Sequence, residues 1–467
     1  MAAFEAVSKT TIKRLDERSS VDIRLARLPS RNPSLDDDFD PREHREPRSP
    51  IGTKMAYVNL IRSMFGAGML GMPLAVSQVG IVLGPLLITF AGILIVHMHL
   101  TLLNCLNEVS RQLRIPHISY RYGFRMAVLN GPPIFRCIGN RGPALVATFM
   151  VLSQLGICTV FVTFTSDSLR DIMDWESSKP ALLVLLFPYL LMEFYMTTLK
   201  IVGYVSMCGN VMNLVGLILV FYHVFKDPQG DSLTIATSRV LPVLFSFGTC
   251  LFNLSAVGVI LAIDRAIVDP KVLTKKFGVI RVGITIPAAV SIVLGGLGYW
   301  SFGAMEENVL RSLPFDDPSA LVAIGLYLAA VALAYPIQCT PAIHIILEVI
   351  KNRKPEDMPS DKTLKIIEVI ARPTFVLMSF LVCYLIPFQA PVVAFVGNLC
   401  TTILALVFPA LMELSLRYPS QYGKYKIYLI KNIAVMVIGL SSWTFGVVLC
   451  VYMIYIRLQA TSPNDKS

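Results

Sequence analysis

The residues best suited to chemistry lie where small and polar residues interrupt two long apolar runs. In the first run, Gly66, Gly68 and Gly71 are followed by Pro73 in a stretch without any charged residue. In a helix interior each glycine costs about 1 kcal/mol and each proline about 3 kcal/mol relative to alanine. The cluster therefore predicts a helix that unwinds and frees backbone N–H and C=O groups to bind a ligand. Close helix packing through small residues is the alternative interpretation.

The second interruption is Phe247–Gly258, which places Asn253 and Ser255 between flexible glycines. The start of a half-helix favours a carboxylate and its end favours a cation, so a zwitterionic amino acid would match both. Other small polar solutes are alternative substrates. The predicted substrate-binding residues are Phe65, Gly66, Ala67 and Gly68 in the first run, and Phe252, Asn253, Leu254, Ser255 and Ala256 in the second. The two phenylalanines could cap the site, although core packing is an equal alternative.

Ionisable side chains inside apolar runs are candidates for coupling or gating, because a bilayer disfavours them. Arg62 precedes the first glycine cluster, where it either pairs with a carboxylate in a gate or reaches the membrane surface. Glu193 lies in another apolar run and is a candidate for ion coupling. Gln338 and Asn398 are further candidates for lining the site.

The elements that must hold these residues are membrane-spanning helices. Of the 467 residues, 54% are hydrophobic and 15% are charged, against about 25% charged in a soluble domain. Since a spanning helix uses about 20 residues, the chain can form ten to twelve spans. We predict an all-α transmembrane protein with eleven spans, at about 55–77, 79–104, 143–165, 181–197, 201–225, 241–263, 279–301, 319–350, 372–387, 390–413 and 431–456.

The distribution of basic residues predicts the orientation of these spans. The loops on one side hold 22 lysines and arginines, and those on the other side hold seven. Cytoplasmic loops are the basic ones, so we expect a disordered cytoplasmic tail at 1–54, a transporter domain at 55–457 and a short extracytoplasmic tail at 458–467. The net charge of +10 then reflects topology and contact with an anionic lipid bilayer, and it does not indicate nucleic-acid binding.

The two interrupted runs fall in the first and sixth spans, which are five spans apart. Because five is odd, these spans cross the membrane in opposite directions. This is the pattern of a five-plus-five inverted repeat with discontinuous helices 1 and 6 and a binding site at the midplane.

Several motifs together resemble the amino acid/auxin permease family, most closely its proton-coupled amino acid transporter group (solute carrier 36-like). They are Gly66–Ala75 (GAGMLGMPLA), Gly80–Pro85 (GIVLGP), Gln154–Cys158 (QLGIC), Phe247–Thr249 (FGT) and Gly296–Gly303 (GLGYWSFG). The resemblance covers about residues 50–457. It implies the LeuT-like fold of the APC superfamily and the symport of amino acids.

Two positions depart from that family pattern, so the chain resembles a divergent member of the family. Asn59 stands where the family commonly has a histidine linked to proton coupling, and an amide does not titrate. Ser255 stands where close relatives have a glutamate in the unwound part of the sixth span. Asn59 is therefore a candidate coupling residue whose role the sequence does not define. Proton coupling does not follow from the resemblance.

The sequence contains no nucleotide-binding, zinc-binding or hydrolase motif, so we expect neither an enzyme nor a cofactor or metal. We predict a secondary active transporter of amino acids that works by alternating access, with protons as one option for the coupling ion. The alternatives are an amino acid-sensing transceptor with little flux, and a channel. Either the plasma membrane or the endolysosomal membrane fits the sequence.

Overall fold

The structure, a computed structural model, describes residues 39–45, 47, 50–195, 199–226, 233–305, 307–351 and 361–461. Most of the predicted N-terminal tail and the last six residues lie outside this part of the chain. The spans are built from these helices: Thr53–Met64 with Ala67–Leu70 and Met72–Val79, Leu83–Leu113, Arg136–Ile172, Ser178–Tyr195, Leu199–Lys226, Val240–Leu254 with Val257–Ala266, Val279–Phe302, Pro318–Lys351, Asp361–Leu385, Gln389–Leu416 and Ile427–Thr461.

These helices confirm the all-α transmembrane architecture. Within the described residues, ten helices are long and apolar enough to cross a membrane, and the bent pair Thr53–Met64 and Ala67–Val79 makes an eleventh span. We number the spans 1 to 11 in chain order. Short helices at Tyr120–Leu129 and Lys271–Thr274 connect spans 2 to 3 and 6 to 7.

Spans 1 and 6 pack against each other in opposite directions, as the predicted inverted repeat requires. The backbone N–H of Ile51 donates to Ala266 O (2.9 Å), near the beginning of one span and the end of the other. Farther along, Ser246 Oγ donates to Ala75 O at 2.8 Å. As the chain advances through span 1, its contacts therefore move backwards through span 6.

Span 10 forms the centre of the bundle, since 89% of its apolar segment is buried. Its middle part, Gly397–Val407, is a π-helix, which widens the helix locally. Asn398 accepts a hydrogen bond from Ser442 Oγ in span 11 (2.6 Å). Its amide nitrogen donates to Leu244 O in span 6. Asn398 thus joins three spans and lies away from the site that the sequence predicted for it.

Span 9 begins earlier than predicted, at Asp361 instead of residue 372. The added part is amphipathic, with Lys362 and Lys365 on its polar face, so a hydropathy count detects only the apolar remainder. As a consequence Arg372, which the charge count placed at a loop, lies well inside the span.

The end of the predicted tail packs against the side of the bundle that the sequence predicts to be cytoplasmic. Arg45 Nη1 bonds to the carboxylate and to the carbonyl of Asp264 in span 6 (2.8 and 2.9 Å). The same guanidinium donates to Asn107 Oδ1 at the end of span 2 and to Pro116 O in the loop that follows. One arginine therefore links the tail to two spans and a loop.

Arg45→Met is expected to destabilise the protein by about 3 kcal/mol, because among the described residues it leaves the buried carboxylate of Asp264 with His117 as its one remaining partner, at 3.6 Å. Thermal melting of the purified protein in detergent measures the effect. Arg42→Met is the matched control, since its side chain takes part in no described ion pair with a span. Equal melting temperatures for the two variants would contradict the role of Arg45.

Candidate functional site

Span 1 breaks at the predicted place. The first half ends at Met64, Phe65 and Gly66 leave helical geometry, and the next helix starts at Ala67. The axis bends by 44° across the break. The carbonyl of Phe65, which the break removes from the helix, accepts a hydrogen bond from Asn213 Nδ2 in span 5 (2.9 Å). Asn213, which the sequence did not single out, thus supports the break from outside.

Span 6 breaks at Ser255 and Ala256, both outside helical geometry, between helices Val240–Leu254 and Val257–Ala266. The sequence predicted that Gly248 is part of the interruption, but it lies within the first helix. Asn253 is buried two residues before the break, and its Nδ2 donates to Ser291 Oγ of span 7 at 2.9 Å. Ser291 is another residue that the sequence did not reveal.

The two breaks face each other. A Cβ atom placed on Gly68 would lie 3.1 Å from the ring of Phe252 and 3.2 Å from Asn253 Oδ1. This spacing is tighter than usual van der Waals contact, so glycine at position 68 lets the two spans approach. The interrupted segments therefore form one site in the middle of the bundle.

A cavity of about 750 Å³, which includes its open mouth, lies at this meeting point. Spans 1, 3, 6, 8 and 10 contribute its walls. The lining residues are Ser63, Met64, Gly66, Ala67, Gly68, Met150, Ser153, Gln154, Ile157, Phe161, Phe252, Asn253, Ser255, Ala256, Val257, Gly258, Val259, Gln338, Thr401 and Leu404.

The lining combines polar groups with apolar surface, and none of the described residues in it has an ionisable side chain. The partial charges that would face the charged groups of a ligand come from the backbone at the helix ends. The second halves of spans 1 and 6 begin at this cavity and carry partial positive charge there, whereas the first halves end at it and carry partial negative charge. The arrangement suits a small molecule that bears one positive and one negative group.

Seven of the nine predicted binding residues line this cavity, and Phe65 and Leu254 do not. Leu254 is fully buried and packs in the hydrophobic core. The side chain of Phe65 packs at the edge of a second core cluster. Gln338 lines the cavity as the sequence suggested, while Met150, Ser153 and Thr401 were not foreseen because their positions depend on how spans 3 and 10 pack.

The predicted coupling and gating residues lie apart from the cavity lining. Asn59 and Arg62 are partly buried in the first half of span 1. Glu193 is 1% exposed, and its Oε2 accepts a hydrogen bond from Arg372 Nη1 of span 9 at 3.0 Å. Arg372 also donates to Glu368 at 2.8 Å. Glu193 is thus held in a buried ion pair, which the sequence could not show because Arg372 lies 179 residues away.

Sequence comparisons agree with this architecture. The profile of the family described as "Transmembrane amino acid transporter protein" matches residues 49–452. "Proton-coupled amino acid transporter-like protein pathetic" of Drosophila melanogaster is 25% identical over 421 residues, which cover 88% of this chain and 86% of that protein. "Amino acid transporter AVT3C" of Arabidopsis thaliana is 24% identical over 387 residues, 77% of this chain and 81% of that protein.

Among solved structures, the chain is similar to Mhp1, a nucleobase-cation-symport-1 family transporter in a closed conformation with bromovinylhydantoin bound. The alignment has a TM-score of 0.47 at 11% identity and covers 92% of this chain and 95% of that one.

Proposed function

Because the chain belongs to the transmembrane amino acid transporter family, we infer that it transports amino acids, and we propose that they bind in the cavity between the two broken spans. The observation that carries the proposal is the meeting of both breaks at Gly68, Phe252 and Asn253. The relatives that match most of the chain are also named as amino acid transporters.

The backbone at the breaks would supply the main recognition of the substrate. Its carboxylate would meet the free N–H groups at the start of the second half-helices, at Ala67 and Val257. Its ammonium group would lie near the carbonyl groups at the ends of the first half-helices, at Met64 and Asn253, which both line the cavity. The apolar side chains of the lining would contact the side chain of the substrate.

We propose that transport proceeds by alternating access, with the N-terminus in the cytoplasm. The antiparallel pairing of spans 1 and 6 supports such a mechanism, since either half of each span can move about the break. The threefold excess of basic residues in the loops on one side supports the orientation.

Proton coupling is also a proposal. The Drosophila relative is named as proton-coupled-like, yet Asn59 cannot titrate and the cavity lining has no ionisable group in the part of the chain that the structure describes. Glu193 is a carboxylate buried inside span 4. We propose that it couples transport to protons by forming and breaking its ion pair with Arg372.

Ser255→Trp is expected to lower amino acid uptake at least about tenfold, because the indole would occupy the cavity at the break. Uptake of each radiolabelled amino acid into proteoliposomes, with and without a pH gradient, tests this prediction and identifies the substrate. A large residue at Asn253 is expected to act in the same way.

Thr285→Trp on the exposed face of span 7 is the matched control and is expected to retain uptake. If the wild-type protein moves no amino acid, the proposal of transport is wrong. Saturable binding without flux would instead select the transceptor. Full uptake by Ser255→Trp would place the substrate elsewhere.

A further inference from the structure

Two buried side-chain oxygens in the central cavity have no hydrogen-bond partner among the described residues. They are Gln154 Oε1 in span 3 and Asn253 Oδ1 in span 6. Gln154 is 5% exposed and Asn253 is 4% exposed, and both residues line the cavity. A buried carbonyl oxygen without a donor is costly, so two of them in one site point to a ligand that donates hydrogen bonds.

The Asn253 amide is hydrogen-bonded to its neighbour Ser291 in span 7. Its Nδ2 donates to Ser291 Oγ, which leaves Oδ1 directed at Gly68, 3.2 Å from where a Cβ atom would lie. This oxygen therefore stands beside the break of span 1, and Ser291 holds it there.

Gln154 lines the same cavity from span 3. Its Nε2 lies 3.0 Å from where a Cβ atom on Gly258 would be, so the amide packs against the start of the second half of span 6. Its carbonyl oxygen, Oε1, is buried and has no hydrogen-bond partner among the described residues.

From these two acceptors we infer that Gln154 and Asn253 bind the ammonium group of the substrate through N–H···O hydrogen bonds. The inference rests on the proposed transport of amino acids and adds Gln154 as a specificity-determining residue. An ammonium group carries three N–H donors, whereas a carboxylate offers only acceptors that would repel both oxygens. Among the described lining residues there is no carboxylate to bind the ammonium group instead.

The pair of acceptors selects substrates by the hydrogen atoms on their nitrogen. A primary ammonium group can donate to both amides and to a backbone carbonyl. An N,N,N-trimethyl derivative has the same charge and no N–H donor, so it cannot satisfy either oxygen. The site should therefore discriminate between two compounds of equal charge.

Competition against uptake tests this inference, using the amino acid that gives the strongest uptake and its N,N,N-trimethyl derivative. Gln154→Met, which preserves volume, is expected to weaken inhibition by the amino acid about 10- to 100-fold and to leave inhibition by the trimethyl derivative unchanged. Gln154→Glu, which keeps an acceptor, is expected to retain the preference for the amino acid. Asn253→Leu is expected to act like Gln154→Met if the variant folds.

Asn210→Leu is the matched control, because it removes another buried amide oxygen that has no described partner, from a span whose described residues do not line the cavity. It should leave the ratio of the two inhibition constants unchanged. If Gln154→Met weakens both compounds equally, or neither, the inference is wrong while transport stands. If the wild-type protein neither binds nor moves an amino acid, the proposed function fails and the inference fails with it.

Discussion

Gly397→Ala is expected to prevent the protein from folding into a stable bundle. A Cβ atom at this position would lie 1.8 Å from the carbonyl oxygen of Gly248, where spans 10 and 6 touch. Gly248→Ala is expected to destabilise the bundle almost as much, since a Cβ atom on Gly248 would lie 2.2 Å from Asn398 Nδ2 and 2.7 Å from Ala394 O. Backbone atoms cannot move aside without separating the helices, and span 10 is the buried centre of the bundle.

The yield of monodisperse protein in detergent, with its melting temperature, measures this effect. Gly296→Ala in span 7 is the matched control, because nothing lies within 4 Å of the added Cβ atom. That variant is expected to be as stable as the wild type or more stable by about 0.5–1 kcal/mol, since alanine favours a helix. Equal melting temperatures for the Gly397→Ala and Gly296→Ala variants would contradict the predicted contact.

The same glycines show what the sequence could reveal about the site. The cluster at Gly66 and Gly68 predicted the break in span 1 correctly, because glycine and proline are costly in any helix. Gly248 was misread as part of a break, although it allows close packing in an intact helix. Local composition gives the cost of a residue but not its neighbour, and the neighbour of Gly248 is 149 residues away in span 10.

Polar partners were equally beyond local analysis. The number of spans along the chain predicts that spans 1 and 6 are antiparallel. The clusters of small and polar residues predict the broken segments and most of the cavity lining that these segments contribute. The contributions of Asn213, Ser291 and Thr401 depend on which faces of spans 5, 7 and 10 turn inward, and long apolar helices carry little amphipathic pattern to show this. The pairing of Glu193 with Arg372 could not be predicted either, because it depends on span 9 beginning at Asp361, which places Arg372 inside the span.

Arg372→Met is expected to destabilise the protein by about 3–5 kcal/mol, because it leaves Glu193 buried without a counter-ion. Glu193→Gln should cost less, since Arg372 keeps Glu368 as a partner at 2.8 Å. The double variant Glu193→Gln with Arg372→Met should recover much of the loss, as it removes both charges together. Unfolding in detergent, followed for all three variants, measures the coupling between the two residues.

Glu348→Gln is the matched control for the loss of a glutamate charge. Its partner Arg121 lies 3.4 Å away, but the glutamate side chain is 36% exposed, so the change should cost no more than about 1 kcal/mol. The same variants test the proposed coupling. If Glu193 carries the proton, Glu193→Gln should abolish the stimulation of uptake by a pH gradient while amino acid exchange continues. Gradient-driven accumulation by Glu193→Gln would show that the ion pair only supports the fold, because an amide cannot take up and release the proton.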